Sequence, residues 1–111
     1  MNLIKIDTVA AEPGWELFEP TMALVDGHPR WTNFLKRNVI AWRLDHHQIG
    51  EWPEIYTFCV PVTLDGCPED YESPWAVKVP NKQRWQIQDR EDIFEIDALL
   101  KYFNAEYPPD L

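Results

Sequence analysis

Apolar positions along this chain change period several times, and each change marks a predicted element. Residues 3–9 alternate, with Ile4 and Ile6 on one side and Lys5 and Asp7 on the other, which predicts a half-buried strand. Glu12-Pro13-Gly14 is a turn signal, and Trp15, Glu16, Leu17 and Phe18 predict a second short strand ended by Pro20. Asp26-Gly27-His28-Pro29 is a further turn. Trp31, Phe34 and Leu35 stand at helical spacing and predict one or two helical turns over residues 30–37. Residues 38–44, Asn-Val-Ile-Ala-Trp-Arg-Leu, are β-branched and aromatic and predict a central strand, followed by a polar connection over 45–53. The longest apolar run covers 55–64. Pro61 has no N–H to give to a ladder, so this strand belongs at an edge or a bulge, and Asp65-Gly66 closes it.

Beyond an acidic loop over 67–74, Trp75, Val77 and Val79 share a strand face. Pro80-Asn81-Lys82 turns the chain, and Trp85 and Ile87 continue that face while Ala76 and Lys78 point away. The last predicted element is a helix. Asp89 is its N-cap, Glu91 and Asp92 suit its dipole, and Ile93, Ile96, Leu99, Leu100 and Phe103 form its apolar stripe. Asn104 and Pro108-Pro109 bound it at the other end. The expected fold is α+β: one domain over residues 1–111, built as an antiparallel sheet of five to six short strands with a C-terminal helix packed on one face.

Composition changes the picture little. An apolar share of 45% with six tryptophans in 111 residues argues for a packed core over disorder. No stretch approaches the ~20 apolar residues of a membrane-spanning helix, and the first residues lack the pattern of a signal peptide. The expected compartment is the cytoplasm, with Cys59 a core thiol and Cys67 an exposed one, both reduced.

Charge changes it more. Residues 1–43 hold five acidic and five basic side chains, whereas residues 44–111 hold fourteen and five, so the whole net charge of −9 belongs to the second part. Such a field repels nucleic acid and anionic membrane and attracts basic protein surfaces. The acidic loop Glu69-Asp70-Tyr71-Glu72 and an outer helix face with Asp92 and Glu95 are the candidate partner-binding residues. Trp52, in Gly50-Glu51-Trp52-Pro53-Glu54, is the candidate aromatic anchor.

Catalytic chemistry is thinly represented. His46-His47 adjoins Asp45, but adjacent histidines on a strand point to opposite faces and converge on a metal only in a turn. Ser73 is the lone serine and stands outside any elbow motif. No cofactor or metal site is expected.

Pro13-Gly14-Trp15, Val39-Ile40-Ala41-Trp42, residues 61–66 (Pro-Val-Thr-Leu-Asp-Gly) and residues 75–80 (Trp-Ala-Val-Lys-Val-Pro) together resemble small uncharacterised proteins encoded by phages and prophages. The likeness spans residues 10–80, and the chain departs from it by the acidic segment at 67–73. The resemblance implies an accessory factor of a mobile element acting in a bacterial cytosol and carries no catalytic residue across. The resulting expectation is a non-enzymatic module that binds and occludes a basic protein surface, such as that of a nucleic-acid-binding protein. Two alternatives stand beside it: a small enzyme or small-ligand-binding protein with a pocket near His46 and His47, and a phage structural component that self-associates through edge strands.

Overall fold

The computed structural model describes residues 2–50, 54–68, 74–87 and 92–110. Along the chain run β1 (Asn2–Ala10), β2 (Glu16–Val25), β3 (His28–Asn38), β4 (Ala41–Ile49), β5 (Glu54–Val62), β6 (Ala76–Lys78), β7 (Trp85–Gln86) and α1 (Ile96–Glu106). The expected single sheet of five to six strands with a helix packed on one face is not what forms. The strands divide into two antiparallel sheets, ordered β1-β4-β5 and β3-β2-β6-β7, and strand makes up 58% of the described residues against 11% helix, so the described fold is mainly β.

The division falls inside the run expected to be one central strand. β3 stops at Asn38 and β4 starts at Ala41, leaving Val39 and Ile40 to carry the chain from one sheet to the other. The crossing backbone keeps its hydrogen bonds. Val39 N–H donates to the Trp15 carbonyl (2.9 Å), Ile40 N–H to that of Val62 (2.8 Å), and Ala11 N–H to that of Ile40 (3.1 Å).

The segment expected to turn as a helix is the strand β3. A bulge explains the misleading spacing. Thr21 pairs with Asn33 and Met22 with Trp31, so Thr32 is the extra residue. It brings Trp31 and Phe34, three apart, to the same side, where both pack on one core. β2 likewise runs through Pro20 and does not end there. Its ladder to β6 covers only Glu16, Leu17 and Phe18, so among the described residues Pro20 lies where β2 has become an edge, a position that tolerates proline. Asp26 (φ 53°) and Gly27 (φ 79°) make the two-residue, both-positive turn whose twist matches a hairpin.

The four-stranded sheet is apolar on both faces. Phe18, Ala76, Trp85 and Ile87 bury against Leu99 and Phe103 of α1. Leu17, Val39 and Val77 bury on the other face with Trp15, Trp42 and Trp75 around them. Trp85 and Ile87 therefore side with Ala76 and not, as expected, with Val77. Because Lys78 pairs with Trp85, the register sets the two apolar groups back to back.

The helix is shorter than its apolar stripe suggested. Its N-cap is Glu95, and Asp89 lies outside the described residues. Ile93 instead exchanges backbone hydrogen bonds with Trp85 (2.7 and 2.9 Å) and extends the sheet edge. Among the described residues no helix is long and apolar enough to cross a membrane.

Glycine is required at residue 14. Its φ is +102°, and a Cβ there would lie 2.9 Å from Cβ of Pro80, so only glycine lets the turn after β1 close onto the β6–β7 turn. The molecule measures 50 × 33 × 26 Å, with a radius of gyration of 15.4 Å against about 13 Å for a compact chain of this length. Its accessible surface of 7886 Å² exceeds by about 1,500 Å² what a monomer of this mass normally shows.

Candidate functional site

The two sheets splay apart from the Val39–Ile40 crossing and leave an apolar cleft of ≈ 670 Å³ between them. Pairing aligns Val9, Trp42 and Pro61 across the three-stranded sheet, with Leu44 beside Cys59 and His46 beside Thr57 on the same face. Val9, Trp42, Leu44, Thr57 and Cys59 from that face line one wall. Val77 and Gln86, together with Trp15 and Trp75, line the other. Trp15 and Trp42 meet edge to face at the junction, ring centroids 5.2 Å apart. Ile49, Tyr56 and Phe58 lie at the far end, and among the described residues no charged side chain lines the cleft. Its volume falls in the range of about 300–1,000 Å³ that holds a small ligand or a few side chains of a partner.

One polar line runs beside the cleft. His46 Nε2 lies 3.0 Å from Oδ2 of Asp7, and His46 Nδ1 lies 2.9 Å from Oγ1 of Thr57. With the proton on Nε2, the ring donates to the carboxylate and accepts from the threonine hydroxyl. Lys5 Nζ also pairs with Asp7 at 3.4 Å. Three strands thus supply a hydroxyl, an imidazole and a carboxylate in sequence, and the hydroxyl lines the cleft. The same groups serve as a cross-strand polar ladder that lets β4 remain a strand where the sequence read as a connection. His47 points to the other face and meets Phe58 edge to face at 5.2 Å. The two histidines do not converge. Among the described residues no group of three His, Cys, Asp or Glu side chains is placed to hold a metal ion.

The second face of the three-stranded sheet carries an ion pair whose carboxylate is buried. Asp45 is 4% exposed, and Arg43 grips it with Nε (2.9 Å) and a terminal nitrogen (3.0 Å). Arg43 also donates to Sγ of Cys67 at 3.6 Å. A bidentate clasp compensates much of the cost of holding a carboxylate out of water. The cysteines are free and lie on opposite faces of this sheet, Cys67 against Arg43 and Cys59 in the cleft. Cys59 is exposed, contrary to its expected core position, because it faces the cleft where the two sheets part. Partial burial of its sulfur still pushes the thiol above its ordinary value of 9.0.

The expected partner-binding residues do not come together as one described surface. Trp52, Glu69, Asp70, Tyr71 and Glu72 lie outside the described residues. Asp92 is not on an outer helix face. It precedes the helix and pairs with Arg84 across the sheet edge. Glu95 is exposed at the helix N-cap, and its carbonyl accepts from Leu99 N–H (3.1 Å). Sequence reasoning offered a pocket near His46 and His47 only as an alternative and named none of the lining residues, because the walls come from six separate stretches. The sequence offered no local signal at Cys59, which sits between Phe58 and Val60 in an apolar run. No protein-family model matches the chain, and neither the curated proteins nor the solved structures compared with it include a similar one.

Proposed function

We propose that this chain is a non-enzymatic protein-interaction module whose receptor is the cleft between its sheets. The carrying observation is an apolar cavity of ≈ 670 Å³, walled by Trp15, Trp42 and Trp75 and without a charged lining side chain among the described residues, in a chain of net charge −9. Tryptophan-rich concavities supply large contact area at low entropic cost, and the surrounding acidic field selects against acidic partners. The occupant is an apolar protein segment whose flanks are neutral or basic. A basic surface, including one that otherwise binds nucleic acid, fits this field and would be occluded. The role as a phage or prophage accessory factor rests on the short motifs shared with such proteins.

The test is titration with synthetic peptides of Leu, Met and Val centred between Arg or acidic flanks. Arg-flanked peptides should change tryptophan fluorescence, protect Cys59 from alkylation and bind less tightly as salt rises. Cys59→Trp, which fills an exposed cleft position, should abolish binding while leaving the circular dichroism unchanged. Peptides that neither bind nor protect Cys59, whatever their flanks, would remove this reading.

The Asp7–His46–Thr57 line favours a second reading, a small-ligand site with an apolar body and one hydroxyl-bearing end. Its mark is binding of a small apolar dye that Thr57→Val weakens and that peptides do not displace.

A further inference from the structure

The β2–β3 hairpin is an arm. Every residue from 21 to 28 is exposed, and among the described residues β2 beyond Phe18 pairs with β3 alone. Solvated β-hairpins normally end in polar residues, yet this one carries Met22 (43% exposed), Leu24 (60%) and Val25 (40%) at its tip. Met22 and Leu24 share a face with Pro29 and Trp31, their ladder partners, so the arm presents an apolar stripe. These side chains stand in water in the monomer and do not fill the chain's own cleft.

We propose that the chain assembles head to tail, the arm tip of one copy seating in the cleft between the two sheets of the next. The proposal rests on the cleft being a receptor for a protein segment and names that segment. Three observations choose a second copy. Arm and cleft are complementary in chemistry, aliphatic side chains matching a trough whose described lining is mainly aromatic and aliphatic and carries no charge. Residues 21–31 carry one acid, Asp26, and one base, Arg30, so the arm is neutral and can approach a second chain of charge −9. The surface in excess of a compact monomer, about 1,500 Å², matches what one copy would bury by giving its tip to one neighbour and its cleft to another, at about 800 Å² per side of a standard interface. Because tip and cleft are different surfaces, the contact is heterologous, and repetition gives a ring or an open filament.

Sedimentation of the full chain between micromolar and millimolar concentration tests this. The wild type should grow beyond a dimer, more readily as salt screens the repulsion between copies. Leu24→Asp in the tip and Cys59→Trp in the cleft should each weaken association by at least about tenfold. Both positions are exposed, and Met22→Asp serves as a second tip variant if Leu24→Asp fails to fold. An equal mixture of tip and cleft variants should form a dimer and nothing larger, because it retains one intact tip and one intact cleft. A wild type that stays monomeric overturns the proposal; if Arg-flanked peptides still protect Cys59 in that sample, the receptor reading survives without it. Association that persists in both variants, or a mixture that stays monomeric while the wild type assembles, also overturns it and points to a symmetric contact through β1 or β5.

Discussion

At the residue scale, the cleft has a built-in reporter. Cys59 is solvent-accessible, yet burial of part of its sulfur disfavours the thiolate and raises its pKa above 9.0. In a Cys67→Ser background, alkylation should be slower at neutral pH than for the unfolded chain and should rise only as pH passes the ordinary thiol value. The sign for stability follows. The unfolded thiol loses its proton first, so this group's contribution is intact below pH 9 and lost as pH rises through the higher folded value. A pH–rate profile matching that of the unfolded chain would show that the sulfur is fully solvated. This residue also shows where sequence was blind. An apolar neighbourhood in sequence placed Cys59 in a core, but the two sheets part at that position, and nothing local encodes that parting.

At the scale of elements, the clearest device is Asn104. Its side-chain amide accepts from Trp31 N–H (2.8 Å) and donates to the Trp31 carbonyl (2.9 Å), imitating one rung of a ladder on the open edge of β3. It also donates to the Leu100 carbonyl (3.1 Å), and Trp31 Nε1 donates to the Tyr107 carbonyl (2.6 Å). Asn104→Ala should cost about 2 kcal/mol in urea unfolding and speed hydrogen exchange at Trp31. Unchanged exchange there would mean that Trp31 Nε1 alone holds the helix end to the arm. The alternation of β1 was legible as a strand, but not its burial: Ile4 and Ile6, expected on a half-buried face, are 50% and 53% exposed. The helical reading of residues 30–37 failed because one bulge changes the period, and the polar end of β4 was missed because Asp7 and Thr57, on other strands, supply the partners of His46.

For the whole molecule, net charge and shape act together. A chain at −9 repels itself, and an elongated form with a radius of gyration of 15.4 Å spreads that charge. Its melting temperature should therefore rise by several degrees between low and physiological salt, measured on dilute protein so that assembly does not contribute. A fall would show that specific ion pairs such as Arg43–Asp45 outweigh the general repulsion. The charge asymmetry was fully legible in sequence. The split into two sheets was not, since which strands pair is decided by contacts across tens of residues, and the single-sheet expectation had no term for the crossing at Val39 and Ile40.

The two-residue turn Asp26-Gly27 makes the arm a ruler. A turn this tight fixes the register, so the reach of Leu24 is counted in residue pairs. Adding two residues to each strand would lengthen the arm by about 7 Å and keep Met22 and Leu24 on their face. Adding one to each would lengthen it by half as much and turn the stripe over. Arm length in this fold can change only in even steps without losing its apolar face, and any spacing the arm sets between bodies is quantised in the same units.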